Sequence, residues 1–412
     1  MSAAQTQKAQ TRSDVAPPGA PARVEGAQRP TREGVGVTKA SPADARTRLY
    51  DKIYACNAAG TIGNSMGDVT EGLTWRQIEE RYGFVETLLP QEKAERFRPT
   101  DWGPPFHYKA HSRPPGMTED GHERHRLMCE AIIRKGGRVT VWDVARAWLD
   151  LIDPAKFGYL LGPQDQVILL SLQAGIPAHE VGRYAAWPGF IGTAKMIEPV
   201  GLVNACDPRQ AALDAHDVGR LKDVQGRVGR PGNYALEVAA GIAAGVAAAM
   251  RPDASVGGVI QTVLGELSSV PRAEVQQGLD WAREQRHWRD LRPLYEERYR
   301  GHPISNAVEI LSSALAVLLL VDGDPKEALL AAVNLGRDCD CRAYVAGGLA
   351  GALNGSASLP QEWVETIEAE LPGDPYTVSR RSLADTAAGL YRATLNTLEE
   401  ARRQTAQIEA LL

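Results

Sequence analysis

The sequence predicts an all-α fold, because its apolar residues recur at helical spacing and no segment shows the alternation of a strand. Two runs of small residues, AAGIAAGVAAAM and AGGLAGAL, suit close packing between helices. One buried helix has Ser305 or Asn306 as its possible N-cap. The segments with helical spacing are residues 141–152, 235–250, 305–321, 325–335 and 344–353.

The N-terminal part differs from the rest in composition. Residues 1–44 are rich in Ala, Gln, Thr, Pro, Gly and Arg and almost lack large apolar side chains, so we expect a disordered tail. The folded part is expected to begin within residues 46–54. A single helical domain is therefore predicted over residues 45–412, with Pro/Gly-rich loops at WGPPF, SRPPG and GRPGN.

Composition narrows the function classes. The chain has 46 Lys and Arg against 51 Asp and Glu, a net charge of −5, which argues against a dedicated nucleic-acid binder. No polybasic patch, signal peptide or membrane-spanning apolar run is present, so no membrane partner is expected. The five cysteines are odd in number and scattered, which favours a reduced compartment over a disulfide framework. We therefore predict a cytoplasmic protein.

The first acidic group is Thr118-Glu119-Asp120, which follows a Pro-Pro-Gly loop and precedes a helix predicted over residues 122–135. Carboxylates at a helix N-terminus are favoured by the helix dipole. The group is either an ordinary capping cluster or part of a site.

The second acidic group is Asp338-Cys339-Asp340-Cys341, directly before an Ala/Gly-rich helix. Two aspartates two residues apart in a turn can both face one hard divalent cation, which requires oxygen ligands. A helix cap with a solvated turn is the plain alternative. A Cys-x-Cys site for a soft metal is a third, but no nearby spacing supplies the additional sulfur or histidine ligands.

The third group is Glu71 in the segment GDVTEG, which follows GTIGN ending at Asn64. Taken alone, Glu71 is a surface glutamate.

Two other patterns in the sequence do not form functional motifs. His122 and His125 are three residues apart rather than four, so they do not form an HExxH zinc motif and are predicted to lie on a solvated helix face. The glycines of residues 60–67 follow no predicted strand and form no nucleotide-binding loop.

Taken together and in order, these segments resemble the ADP-ribosylglycohydrolase family. AAGTIGNSMGDVTEGL is similar to a pattern of roughly GxxxGDxxGxPxEG, and PGMTEDG to a pattern around TDDT. GTAKMIEPVGLVNACDPRQAAL is similar to the small-residue segment before a Gly-Asp-Pro turn. AAVNLGRDCDCRAYVAGGLAGALNG is the strongest match, to a pattern near AVNxGGDxDTxAxxxGxxxGAxxG. The matches span about residues 53–355.

The resemblance implies an all-helical fold with a binuclear Mg²⁺ or Mn²⁺ centre in a cleft, and cleavage of ADP-ribose from proteins or related small molecules. By position, Thr118, Glu119, Asp120 and Asp340 would resemble the ligands of one ion, and Asp338, Asp340 and Cys341 those of the second. Glu71 corresponds to the glutamate that positions or activates water. The general base would be Asp120 or Glu71.

Four departures from the family patterns bear on the site. Glu119 stands where the pattern has an aspartate, and Cys341 replaces a threonine hydroxyl with a thiol, a poor ligand for Mg²⁺. TEDG replaces TDDT, so Gly121 also stands in place of threonine. Asn64, counted here as a substrate-binding residue, replaces the aspartate of the first pattern. These changes leave either one or two bound ions as alternatives.

Further substrate-binding candidates come from one loop and one turn. An aromatic group within residues 101–116 would stack on a nucleobase or nicotinamide-like ring, or pack on the core. Arg337 would bind a phosphate or neutralise Asp338. The aromatic group includes Trp102, Phe106, His107 and Tyr108.

These features lead to one expected function and two alternatives. The expected function is hydrolysis of an N-glycosidic bond to a ribose, which releases ADP-ribose or a related ribosyl group. One alternative is an enzyme acting on a small nucleoside, nucleotide or natural-product N-glycoside. The other is a non-catalytic ADP-ribose-binding or structural member. The acceptor, the anomer and the oligomeric state are not determined by the sequence.

Overall fold

The computed structural model describes residues 47–91, 113–185, 187–224 and 233–412. Within these ranges the chain is built from helices, and extended pairing is limited to isolated bridges such as Leu73–Arg337. The predicted all-α fold is confirmed. The α-helices are α1 (Arg48–Asp68), α2 (Trp75–Tyr82), α3 (Asp120–Lys135), α4 (Val141–Leu151), α5 (Pro163–Gln173), α6 (Ala178–Val181), α7 (Glu198–Val203), α8 (Pro208–Gly219), α9 (Ala235–Ala249), α10 (Val256–Gly265), α11 (Ser269–Glu284), α12 (Leu291–Arg298), α13 (Ala307–Leu320), α14 (Pro325–Val333), α15 (Cys339–Asn354), α16 (Gln361–Glu370) and α17 (Leu383–Glu409).

The predicted helices form close to their expected bounds, and the differences come from caps. Asn306, one of the two proposed caps of α13, accepts hydrogen bonds from the backbone N–H groups of Val308 and Glu309 at 3.0 and 3.1 Å. α15 begins at Cys339 rather than at residue 344, because Asp338 caps it. The second aspartate of the acidic turn, Asp340, therefore lies in the first turn of a helix.

The central packing is the crossing of α1 on α15, made at backbone distance through glycines. A Cβ atom at Gly63 would lie 2.4 Å from the carbonyl oxygen of Ala343, and one at Gly67 would lie 2.4 Å from the Cα of Asp340. A Cβ at Gly351 would lie 2.4 Å from the carbonyl oxygen of Ala55. No side chain fits at these positions, so Gly63 and Gly67 of α1 are what allow the start of α15, with the acidic turn, to reach α1.

The other apolar helices enclose this pair. Every residue of α9 is buried, which accounts for its nearly uniform apolar composition. Within the described ranges, no helix combines the length and apolarity that a membrane crossing requires. All five cysteines are free thiols. The tail predicted over residues 1–44 lies outside the described residues, and the single domain predicted over residues 45–412 stays a prediction.

Candidate active site

Asn64, near the end of α1, joins the first and second acidic groups. Its Oδ1 accepts a hydrogen bond from the backbone N–H of Glu119 at 3.1 Å, and its Nδ2 donates to the Glu119 carboxylate. The same Nδ2 lies 3.4 Å from Oδ2 of Asp340. Asn64 is fully buried and connects the two acidic groups, and its expected role in substrate binding stays a prediction.

The first acidic group forms the N-terminus of α3. Glu119 is the N-cap, and both of its carboxylate oxygens accept from the backbone N–H of Gly121 at 3.0 Å. Asp120 is paired with Arg124 at 2.7 Å, and Arg124 binds Asp165 at 2.7 and 2.8 Å. Thr118 is buried beside them. The capping role and a role in the site are therefore compatible.

The second acidic group is almost completely buried. Oδ1 of Asp338 accepts from the backbone N–H of Cys341 at 3.3 Å. Oδ2 of Asp338 and Oδ1 of Asp340 accept no hydrogen bond among the described residues. One ligand atom each from Asp338, Asp340 and Cys341 lies within 4.8 Å of the others. Unpartnered buried carboxylate oxygens are costly, so these two atoms call for a cation or protons.

Electrostatics distinguish the members of this cluster. Burial, followed by the charges of Asp340 and Glu71, raises the pKa of Asp338 well above its ordinary value. Burial, followed by the charges of Asp338 and Asp340, also raises the pKa of the Cys341 thiol. The thiol therefore stays protonated near neutral pH, and its sulfur lies 3.5 Å from Oδ2 of Asp340 as a hydrogen-bond donor.

Lys195, which the sequence analysis did not single out, lies between the two acidic groups. Its Nζ donates to Oε1 of Glu119 at 2.9 Å and to Oδ2 of Asp340 at 2.8 Å. The side chain is 1% exposed, in the 3-10 helical segment Ile191–Met196. Burial opposes the ammonium charge, but Asp340 and Glu119 outweigh it and raise the pKa of Lys195 well above its ordinary value.

The third acidic group reaches the site through a backbone bridge. The N–H of Arg337 donates to the carbonyl of Leu73 at 2.7 Å, and the N–H of Gly72 donates to the carbonyl of Arg337 at 2.8 Å. This pairing ties the turn that carries Glu71 to the turn that carries Asp338. Glu71 is partly exposed and lies on the wall of the cavity described next.

A cavity of about 350 Å³ opens beside these groups. Five of the predicted site residues line it: Glu71, Glu119, Asp120, Asp340 and Cys341. Asn64, Thr118 and Asp338 do not line it. Asn64 nevertheless contacts Glu119, and Asp338 contacts Cys341. Lys195, Arg124, Gln164 and Ser305 complete the polar part of the wall.

The apolar part of the cavity wall includes Trp187, Phe190 and Ile191. The rings of Trp187 and Phe190 are stacked, with centroids 6.1 Å apart. The aromatic surface predicted from the sequence lies instead in the loop of residues 101–116. The four aromatic candidates there, Trp102, Phe106, His107 and Tyr108, lie outside the described residues. The motif WPGF at residues 187–190 was the available signal.

Arg337 lies outside this cavity. Its guanidinium pairs with Glu309 through Nε at 2.5 Å and Nη2 at 2.9 Å, and not with Asp338. It also lines a separate cavity with Arg292 and Arg342. Its backbone has a φ of 68°, in the left-handed region, at the bridge to Leu73. The side chain therefore does not neutralise Asp338, and the other role expected for it, phosphate binding, stays a prediction.

The expectation that His122 and His125 lie on a solvated helix face is wrong, since they are 3% and 1% exposed. Three residues apart, they lie on the same face of α3, which packs inward. His125 contacts the Tyr344 hydroxyl through Nδ1 at 2.6 Å and Oδ1 of Asn57 through Nε2 at 2.9 Å. Burial lowers the pKa of His125 to about 3, so the ring is neutral.

The fit to the implied metal ions differs between the two positions. Asp338 and Asp340 fit one oxygen-seeking divalent ion, because each has a buried oxygen without a hydrogen-bond donor. The position implied at Thr118, Glu119, Asp120 and Asp340 does not fit a second. Lys195 already binds two of those four side chains there.

Comparisons with known proteins agree with the resemblance. A model of the family described as ADP-ribosylglycohydrolase matches residues 45–399. An uncharacterized protein of Archaeoglobus fulgidus is 23% identical over 341 residues, which cover 78% of this chain and 92% of that protein. A solved structure described as an ADP-ribosylglycohydrolase-related protein complex is 19% identical with a TM-score of 0.57, over 84% of this chain and 99% of that chain. This structural likeness shows the fold.

Proposed function

This chain belongs to the ADP-ribosylglycohydrolase family, and from that premise we propose that it hydrolyses an N-glycosidic bond to a ribose. Membership supports a glycohydrolase of the ADP-ribosyl type in general. The observation that carries the proposal for this chain is the cavity of about 350 Å³, which has carboxylates on one wall and stacked aromatic rings on another. A ligand that combines sugar hydroxyls with a flat ring matches both walls.

The carboxylate wall is preorganised for hydroxyl groups. Asp120 is held by Arg124, and Arg124 is fixed in turn by two bonds to Asp165. A carboxylate oriented in this way can accept hydrogen bonds from vicinal ribose hydroxyls. The rings of Trp187 and Phe190 would then contact the base or nicotinamide-like part of the substrate, where stacking adds to apolar burial.

Asp338 and Asp340 would hold one Mg²⁺ or Mn²⁺ ion. When bound, such an ion lowers the pKa of a water molecule and stabilises negative charge on oxygen. Glu71, on the cavity wall, would orient the attacking water and take its proton. The water oxygen bonds to the anomeric carbon, the C–N bond breaks, and the nitrogen leaves with its electron pair and gains a proton.

A substrate screen tests this function. ADP-ribosylated protein and small N-ribosides are incubated with the protein and Mg²⁺ or Mn²⁺, and the released ribosyl product is measured. Turnover of either class supports the proposal, and the class that reacts identifies the acceptor. Tight binding of ADP-ribose without turnover of any substrate would instead indicate a binding protein.

Site variants link that activity to the acidic turn. Asp338→Asn and Asp340→Asn should each lower turnover about 100-fold or more, since several kcal/mol of charge stabilisation are lost. Asp324→Asn is the matched control, because Asp324 caps the N-terminus of α14, accepts from the N–H of Glu327 at 2.9 Å and does not line the cavity. Asparagine is also a good N-cap, so the helices persist. Unchanged turnover in both site variants would contradict the assignment.

A further inference from the structure

We propose that the Lys195 ammonium is a tethered cation that takes the place of one divalent ion, so that the site takes up a single exchangeable ion at Asp338 and Asp340. This inference rests on the proposed function. It concerns which positive charges the chain itself supplies to its acidic site.

The contacts of Lys195 are those of a bound cation. Its Nζ lies 2.9 Å from Oε1 of Glu119 and 2.8 Å from Oδ2 of Asp340. All three side chains are almost completely buried. By position, both carboxylates belong to the set that the resemblance assigned to one of the two ions. An ion bound by the same two oxygens would meet the ammonium, so the two cations exclude each other.

Gly121 supplies independent support, because it provides the space that the lysine occupies. A Cβ atom at Gly121 would lie 2.1 Å from Cε of Lys195 and 2.8 Å from its Nζ. Any side chain at this position therefore collides with the lysine stem. The family pattern TDDT has a threonine here, and this chain has glycine. The absence of a side chain at Gly121 therefore leaves room for the ammonium between Glu119 and Asp340.

The surroundings fix the ammonium in place. The ring of Tyr344 lies 5.4 Å from Nζ, within the range of a cation–π interaction. An ammonium has three N–H groups, and the described residues accept hydrogen bonds from two of them. Lys195 also lines the cavity, so its third N–H is available to a ligand oxygen or a water.

The other acidic position remains open to a metal. Oδ2 of Asp338 and Oδ1 of Asp340 are buried and unpartnered among the described residues. Asp340 thus presents one oxygen to Lys195 and the other to the second position. The arrangement resembles a pair of cation sites that share a bridging carboxylate, one filled by the chain and one available for exchange.

The first test counts Mn²⁺ ions per chain on the purified full-length protein. Equilibrium dialysis with metal analysis gives the number, and electron paramagnetic resonance separates an isolated ion from a coupled pair. We expect one ion per chain with the spectrum of an isolated ion. Two ions bound in the presence of intact Lys195 would overturn the inference, and this measurement does not depend on the folding of any variant.

The second test removes the ammonium. Lys195→Ala should take up one Mn²⁺ more than the wild type, because the ammonium that Glu119 and Asp340 bind is removed. Lys52→Ala is the matched control, since Lys52 is buried and donates to the carbonyl of Ala249 at 2.5 Å, away from the site. The control should bind as many ions as the wild type. Equal counts in Lys195→Ala and the wild type would overturn the inference.

The two proposals fail in different ways. The inference is judged by the difference in ion number between Lys195→Ala and the wild type, and the proposed function by product release. An increase from none in the wild type to one in the variant would overturn the single ion inferred at Asp338 and Asp340 and contradict the metal-assisted mechanism, although Lys195 would still act as a cation. Turnover by a wild type that holds two ions would support the function and overturn the inference.

Discussion

Replacing Gly121 with alanine is the smallest change that should drive Lys195 away from its two carboxylates. Carbon atoms in contact are normally about 3.5–4.0 Å apart, whereas the new Cβ would lie 2.1 Å from Cε of Lys195. The lysine side chain must therefore move by roughly 1 Å or more. This movement breaks the hydrogen bonds of its ammonium to Asp340 and Glu119, which are 2.8 and 2.9 Å long. The substitution therefore acts on an ion pair although it adds only a methyl group.

The magnitude follows from breaking a buried pair. Leaving buried charges uncompensated costs about 3–5 kcal/mol. Alanine recovers up to about 1 kcal/mol through its higher helix propensity. We expect Gly121→Ala to lower the free energy of unfolding by about 2–4 kcal/mol in the wild-type background. In a Lys195→Ala background the collision with the lysine is absent and only an approach of 2.9 Å to Oε1 of Glu119 remains, so the same substitution should cost clearly less.

A double-mutant cycle measures this coupling. Urea unfolding of the four proteins is followed by far-ultraviolet circular dichroism in a buffer that contains a chelator, so that no divalent ion contributes. The reasoning is refuted if Gly121→Ala costs less than about 1 kcal/mol in the wild type, or if it costs the same in both backgrounds.

Three further substitutions test the core, the cavity and the helix crossing. Burial raises the pKa of Glu198 well above its ordinary value, so its contribution to stability is full below the ordinary carboxyl pKa and is lost as the pH rises through the raised value. Glu198→Gln should therefore match the wild type near pH 4 and exceed it in unfolding free energy at pH 8, and an unchanged pH slope would refute this. Trp187→Ala should weaken ADP-ribose binding in calorimetry by about 1–3 kcal/mol, whereas exposed Trp142→Ala should not, and equal affinities would exclude stacking at this wall. Gly351→Ala should lower the free energy of unfolding in urea by about 1–3 kcal/mol, because its Cβ meets the backbone of Ala55. The control Gly265→Ala, with open space around it, should be neutral or stabilising. Similar effects of the two would contradict the close crossing of α1 and α15.

The fold was predictable because its signals are local. Apolar spacing identified α4, α9 and α13, and the choice between Ser305 and Asn306 as cap required only the geometry of one helix end. The early start of α15 was harder, since a turn containing two aspartates reads equally as a loop or as a first helical turn. Asp338 decides it by accepting from the N–H of Cys341.

The site was predictable only where its residues form motifs. Lys195 lies 76 residues from Glu119 and 145 from Asp340 along the chain, so no spacing rule connects them. A physical signal was present: a lone lysine among the small and apolar residues of FIGTAKMI, in a chain whose core needs its charges paired. His122 and His125 were assigned to solvent because polarity alone was weighed, whereas partners on α1 and α15 allow them to be buried.

A lysine ammonium and a divalent ion differ in the chemistry they supply, and this difference determines what the other groups of the site must provide. Lys195 carries one positive charge and donates hydrogen bonds, so it can balance Glu119 and Asp340 and hold a ligand oxygen. It cannot lower the pKa of a water molecule as a coordinated ion does. In the proposed mechanism, activation of the nucleophile would then come from Glu71 together with the cation at Asp338 and Asp340. A chelator should consequently abolish turnover without releasing the charge that Lys195 supplies, so the acidic site stays partly neutralised and the fold persists when the exchangeable ion is removed.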